Sequence, residues 1–288
     1  AAGKFLLTGT PGERYLCQIK NPRYDDWAIV TSRCKITHNS DQYAQADIDG
    51  LKKLAEANPQ VPQLQEFVDS KGWELDNWES WQDVIRTKWS SGETARLTHL
   101  LIELDWGEKP DSISSLDLSA FTELKYFECE RFMNIQELDL SKNTKLEELY
   151  LYSRNLKEID LSACPQLKKF RFGTRSIGES PDREYSLSKL AKLNISGCTK
   201  LEDLYLDNAH IPSLDLSPFK QLRELHIENC QDLAITGYMN VTQLYSLYLP
   251  NTKQFQDLID NLPQTVQHLD LSDTEYKLPP DAVLARLY

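Results

Sequence analysis

The chain has 288 residues, enough for a large buried core, and carries 44 acidic against 32 basic residues, a net charge of −12. That balance disfavours nonspecific binding to nucleic acid, whose affinity comes from basic contacts, and disfavours anionic membranes. No run of 18 apolar residues occurs, so no transmembrane helix and no direct membrane insertion are expected.

Residues 1–45 read as a small β-rich N-terminal segment. KFLLTG, RYLCQIK and WAIVTSRCKITH look like short strands separated by Thr-Pro-Gly and Asn-Pro. GTPGER has no following Gly-Lys-Ser/Thr, so it is not a phosphate-binding loop. The chain starts at Ala1 and not at Met, which leads us to expect a mature or trimmed chain whose leader has been removed. Residues 46–96 differ from this. ADIDGLKKLAEANP predicts a helix with an acidic first turn and a Pro stop, and VPQLQEFVDSKG a second helix ending at Gly72. Trp73, Trp78, Trp81 and Trp89 follow and are expected to pack into the core.

From residue 97 to 276 an apolar motif recurs every 21 or 22 residues. Copies begin at Ile113 (ISSLDLSAFTELKYFEC), Ile135, Leu156, Leu190 and Ile211, with a half-copy, VQHLDLS, at Val266. Such a period marks a solenoid, in which each unit buries its apolar face only against its neighbours. Each unit has two halves of the form LxxLxL. Strand side chains alternate faces, so the two Leu of LxL point inward and the residue between them points out. One turn therefore gives two short strands, and stacked turns give two parallel β-sheets. The class is an α/β repeat. An extra stretch at 174–187 breaks the register and is expected to protrude as a loop. A second irregularity, from Asp232 to Val266, contains Phe255, Leu258, Ile259 and Leu262 and suggests a short helix. Residues 277–288 would close the last turn.

The halves differ in what they keep constant. In the first half the outward position repeats as Asp117, Asp139, Asp160, Asn194, Asp215 and Asp270, and two residues later comes Ser119, Ser141, Ser162, Ser196, Ser217 or Ser272. Asp and Ser side chains bond neighbouring backbone and fix bends, so this half reads as scaffold. In the second half the outward position changes on each turn: Glu128, Tyr150, Arg171, Tyr205, His226, Tyr248. Neighbouring positions vary too, through Tyr126, Tyr152, Asp207, Glu228 and Tyr245. Tyr gives large contact area at low entropic cost. Tyr126, Glu128, Tyr150, Tyr152, Arg171, Tyr205, Asp207, His226, Tyr245 and Tyr248 are the candidate ligand-binding residues. Merely solvated surface is the alternative. Nearby acids, Glu147, Glu148, Asp203, Asp207 and Glu228, would favour a basic partner.

These LxxLxL units, with their LDLS halves and 21-residue period, resemble bacterial leucine-rich-repeat proteins, and most closely the internalin-like subtype found in surface proteins of Bacteroidetes-type gut bacteria. The resemblance implies a leucine-rich-repeat solenoid with a mainly helical N-terminal cap over residues 46–96. It departs at the strand-ending Asn, kept at Asn143 but replaced by Phe121, Cys164, Cys198 and Phe219. It implies little about function, because the fold serves many partners.

Chemistry beyond binding finds no support. No CxxC, HExxH or GxSxG occurs, the five His are scattered, and no metal or cofactor is expected. Cys129, Cys164, Cys198 and Cys230 occupy inward positions and read as small core hydrophobes, while a Cys17–Cys34 pairing stays open. The favoured reading is a non-catalytic, monomeric protein, secreted or anchored at the cell surface, that holds a protein partner on its variable face. Cytoplasmic residence stays open. A glycan ligand on the same face is the first alternative, and an enzyme with accessory repeats the second.

Overall fold

A computed structural model gives the fold. It describes residues 18–20, 27–29, 43–74, 78, 84–91, 93–103, 113–173, 188–250, 252, 254–272, 274–277 and 287. The Cys17–Cys34 pairing, Trp81, the 174–187 insertion and most of the 277–288 segment lie outside these residues.

β1 (Gln18–Lys20) and β2 (Trp27–Ile29) pair antiparallel. α1 (Gln45–Glu56) buries Ile48, Leu51, Leu54 and Ala55 at helical spacing. It stops ahead of Pro59, as the residue before a proline avoids helical dihedrals. α2 (Pro62–Asp69) begins with Pro in its first turn, where the missing N–H costs nothing. β3 (Ile85–Trp89) then pairs antiparallel with β4 (Leu97–Glu103), so the segment before the repeats is not purely helical.

From β4 onward the chain coils. β5 (Tyr126–Met133) and β6 (Glu148–Ser153) extend the sheet. β7 (Glu158–Asp160) lies on the return side, β8 (Lys169–Gly173) on the sheet, β9 (Lys192–Asn194) on the return side and β10 (Asp203–Asp207) on the sheet. β11 (Ser213–Asp215), β12 (Glu224–Glu228), β13 (Ala234–Thr236) and β14 (Ser246–Tyr248) continue the alternation. α3 (Gln256–Asp260) makes the last return, burying Leu258 and Ile259, and β15 (His268–Asp270) ends the sheet. The result is one nine-stranded sheet in the order β3-β4-β5-β6-β8-β10-β12-β14-β15, parallel throughout except at β3. This is a leucine-rich-repeat solenoid of the α/β class.

Register follows the apolar columns. Phe127, Leu149, Phe170, Leu204, Leu225 and Leu247 pair in succession and are all fully buried. Beside the strands a backbone ladder links the coils: Glu147 N–H to Lys125 O, Lys168 to Glu147, Glu202 to Lys168, Arg223 to Glu202, Tyr245 to Arg223 and Gln267 to Tyr245, all at 2.7–2.9 Å.

The return side differs from the expected second sheet. Among the described residues, only β7 with β9 and β11 with β13 form ladders there, as two separate pairs. The Asp-Ser motif explains why. Asp117, Asp139, Asp160, Asn194 and Asp215 each accept the backbone N–H of the Ser two residues on, at 2.8–3.2 Å. A tight turn then closes through bonds such as Phe121 N–H to Leu118 O and Cys164 N–H to Leu161 O. Backbone groups satisfied within their own coil need no continuous ladder. Helix α3 replaces the last return strand altogether.

A second correction concerns VQHLDLS. Asp270 pairs with Tyr248 in the nine-stranded sheet and so belongs to the variable side. Its bond to Ser272 N–H, 2.8 Å, is local and forms on either side of a coil. Counting 11 residues from Leu222 through Leu233, Leu244 and Phe255 to Val266 gives the correct side.

The first coil is covered by the helices. Gly50 lets α1 approach closely: a Cβ there would stand 2.7 Å from the Ala120 Cβ and 2.8 Å from the Phe121 ring. Fully buried Asp47 accepts from Arg96 at 2.8 and 3.1 Å and from Leu97 N–H at 2.9 Å. Fully buried Asn58 donates to Leu54 O and Ser115 O and accepts from Ser114 and Ser115 N–H.

Leu204 sits in the middle of the longest apolar column. Replacing it with Ala should cost about 2–5 kcal/mol, the usual range for a core Leu, read as a fall in the urea midpoint at unchanged slope. A loss below about 0.5 kcal/mol, the scale of surface substitutions, would contradict the assigned frame.

Candidate binding face

Because the sheet is in register and side chains alternate, the outward residues form columns along the solenoid. Glu128 pairs with Tyr150, Tyr150 with Arg171, Arg171 with Tyr205, Tyr205 with His226, His226 with Tyr248, and Tyr248 with Asp270. The six variable positions therefore share one column. Tyr126 lies in the column before it, beside His99 and Glu148. Tyr152 faces Gly173, and Asp207 faces Glu228, in the column after it. Tyr245 sits outside the strands, on the rim one residue ahead of β14.

The rings in these columns pack on each other. Tyr126 and Tyr150 centroids are 5.4 Å apart, Tyr205 and His226 4.3 Å, and His226 and Tyr248 5.4 Å. Between Tyr150 and Tyr205 the Arg171 guanidinium stands 5.7 Å from the Tyr150 ring and bonds Asp203 at 2.6 Å. Cation and π-face attract electrostatically. Burial works against the Arg171 charge, but the bond and the charge of Asp203 outweigh it, so the guanidinium is held more firmly protonated than usual.

Carboxylates hold the phenols. Tyr126 donates to Glu128, Tyr150 to Glu148 at 2.7 Å, and Tyr205 to Glu228 at 3.4 Å, which also lies 3.2 Å from His226 Nε2. Burial, and next the neighbouring carboxylates, raise all three phenol pKa values, so these rings stay protonated donors.

The acids expected to attract a basic partner are largely engaged within the protein. Glu147 pairs with Lys168 at 2.7 Å and Lys125 at 3.7 Å, Glu148 with Lys169 at 3.3 Å, and Asp203 with Arg171. Asp207 is buried and accepts from Asn208 at 2.7 Å and Asn229 at 2.9 Å. Facing strands set acid beside base, a neutralisation that single-residue reading of one coil does not show.

Two further groups belong to this surface and were missed from sequence. Trp78, expected to be core, lies half-buried over the outward side of β4 and β5, 4.9 Å from His99 and 5.1 Å from Tyr126. Burial, with Lys88 and Lys125 nearby, lowers the His99 pKa to about 4. Asn208 and Asn229 end their strands with φ of 56° and 53°, left-handed conformations that Asn tolerates better than most residues. Their signal was the Asn that follows LYLD and LHIE one residue after each strand.

Cys129, Cys164, Cys198 and Cys230 are fully buried. Burial raises the thiol pKa values of Cys164 to about 11 and of Cys198 and Cys230 to about 12, so they carry no reactive thiolate at neutral pH. Among the described residues no group of three or more His, Cys, Asp or Glu could hold a metal ion, and no helix is long and apolar enough to cross a membrane.

No protein-family model matches the chain. Among curated proteins it is similar to the disease resistance protein RPS4B of Arabidopsis thaliana, 31% identical over 157 residues, which is 50% of this chain. The chain spans only 12% of that relative's length. Among solved structures it is similar to three from Listeria monocytogenes. The functional domain of InlJ, which includes a cysteine ladder, shares 25% identity at a TM-score of 0.42, over 61% of this chain and 40% of that one. Internalin C2 shares 16% at a TM-score of 0.49, over 85% and 89%. Internalin InlF shares 18% at a TM-score of 0.35, over 78% and 72%.

Removing the indole by Trp78→Ala should let water reach His99. Its pKa should then climb from about 4 toward the ordinary value of about 6.5, followed by the ring-proton shift in an NMR titration. A folded pKa below the unfolded one means stability is full above about pH 6.5 and falls as pH drops toward 4. The variant should lose part of that slope. An unchanged His99 titration would show that Trp78 does not cover it.

Proposed function

We propose that this chain is a non-catalytic binding protein that holds a protein partner on the outward side of the nine-stranded sheet. The in-register column of Glu128, Tyr150, Arg171, Tyr205, His226 and Tyr248 carries the reading. Tyr126, Tyr152 and Asp207 flank it. Residues that change on every coil, on a backbone that does not, suit a surface selected for contact. Hot spots are enriched in Tyr and Arg at well-packed centres, and Arg171 between Tyr150 and Tyr205 has that setting.

Rings fixed by neighbours and by carboxylates lose little side-chain entropy on binding. Internal pairing of Glu147, Glu148 and Asp203 removes the main reason to expect a basic partner, so we infer a partner surface of mixed polar and aromatic character. A glycan on this column is disfavoured for a geometric reason. A sugar ring packs on an open aromatic face, and here His226 and Tyr248 turn their faces to each other at 21°, as His99 and Tyr126 do at 17°. An enzymatic reading gains no support from the histidines of this face, which are engaged by rings and by Glu228.

We further infer that α1, α2 and the β3–β4 hairpin act as an N-terminal cap, that the repeats are of the internalin-like subtype of Bacteroidetes surface proteins, and that the protein works as a monomer, secreted or displayed on a cell. The partner can be captured by photo-crosslinking from a benzoylphenylalanine placed at Tyr152. With that partner in hand, the double variant Tyr150→Ala/Tyr205→Ala should bind at least about 30-fold more weakly, corresponding to one hot spot of 2 kcal/mol, at an unchanged melting temperature. Equal affinity for the double variant would rule this column out as the site.

A further inference from the structure

We propose that the rim beside β12, β14 and β15 is a second binding site, one that takes a neutral saccharide. It is carried by a different observation from the column and does not depend on it. The residues just ahead of each sheet strand form their own row: Lys125, Glu147, Lys168, Glu202, Arg223, Tyr245 and Gln267, joined by the backbone ladder. In the first coils this rim is closed upon itself. Lys125 and Lys168 both pair with Glu147, Lys145 bonds Glu123 at 2.6 Å, and Lys200 bonds Gln166.

Among the described residues of the last coils the same rim carries no such zipper. Arg223, Glu224, Thr242, Gln243, Tyr245, Thr265 and Gln267 line a groove of about 490 Å³. Among the described residues, Tyr245 is the one of these whose side chain has a hydrogen-bond partner: its phenol lies 3.0 Å from His268 Nε2. The others offer both donors and acceptors to the groove. Tyr245 is 41% exposed, in contrast to the half-buried rings of the column. The neighbouring His268 ring meets it at 67° rather than lying flat against it.

Chemistry selects the ligand class. A pyranose offers hydroxyls that both donate and accept, and an apolar C–H face that packs on an aromatic ring. Amides, hydroxyls, one Arg and one Glu around one open Tyr match that pattern, and Arg223 and Glu224 cancel in charge, so an uncharged sugar fits better than an anionic one. Backbone bonds of Tyr245 and Ser246 to Arg223 O, and of Gln267 and His268 to Tyr245 O, fix the groove floor before any ligand arrives.

The test is saturation-transfer NMR on the full chain with maltotriose, cellotriose, chitotriose and mannotriose, followed by titration of whichever binds best. At least one should receive saturation. Tyr245→Ala should weaken it at least 10-fold, Tyr245→Phe less than 3-fold, and Tyr150→Ala/Tyr205→Ala not at all. Should Tyr245→Ala fail to fold, Gln243→Ala/Thr265→Ala reads the same groove and should also weaken binding. Silence from all four sugars overturns the proposal, as does binding that survives the groove variants. Loss of sugar binding in the Tyr150→Ala/Tyr205→Ala protein would overturn it too, by moving the sugar to the column.

Discussion

Everything in this molecule depends on one constraint: a coil can bury its apolar row only against the next coil. Leu149 is fully buried, and Phe127 and Phe170 flank it across the sheet from the coils on either side. Stability is therefore a chain of nearest-neighbour contacts, and the first coil lacks a predecessor. Beside it lie α1 and α2, held there by Asp47 with Arg96 and by Asn58 with residues 114 and 115. Both polar side chains are fully buried, yet each is satisfied several times over. Breaking a buried charge pair from one side leaves an uncompensated charge, so these clamps also fix where the two helices sit.

The same constraint separates the two sides of each coil. Inward positions have no freedom, because a changed volume is felt by two neighbouring coils. On the return side the Asp-Ser pairs have little more, since each Asp carboxylate holds the bend that lets the chain reverse. Hydrogen bonding lowers the pKa values of Asp117, Asp139, Asp160 and Asp215, in keeping with carboxylates that work as charged acceptors. The outward residues of the sheet are left to vary. They do so in register, and that turns scattered Tyr, His and Arg residues into one surface.

Much of this was legible from the sequence because its signals are periodic. The 21-residue repeat and the period-two alternation place Leu149, Leu204 and the Tyr150 column without any coordinates. What escaped was contact between coils. Trp78 looks like a cap residue, and only folding brings it over His99. The acids read as a negative surface until Lys168, Lys169 and Arg171 arrive from the next strand. VQHLDLS was put on the wrong side because LDLS is a local bend motif, and spacing rather than motif decides the side. The left-handed Asn208 and Asn229 are not part of the repeating pattern, whereas Asn143 is, and its side chain ties its coil to Leu118 O and Phe121 O.

The central claim is that folding and recognition use different residues of one coil. A saturation-mutagenesis scan of residues 113–272, read once by protease resistance and once by partner binding, tests it directly. The account predicts that substitutions at the inward Leu columns and at the Asp-Ser pairs lose both readouts, and that substitutions at Tyr150, Arg171, Tyr205, His226 and Tyr248 keep protease resistance and lose binding. A column as intolerant as the core in the protease readout would contradict it, because those side chains would then be holding the solenoid together rather than holding a partner.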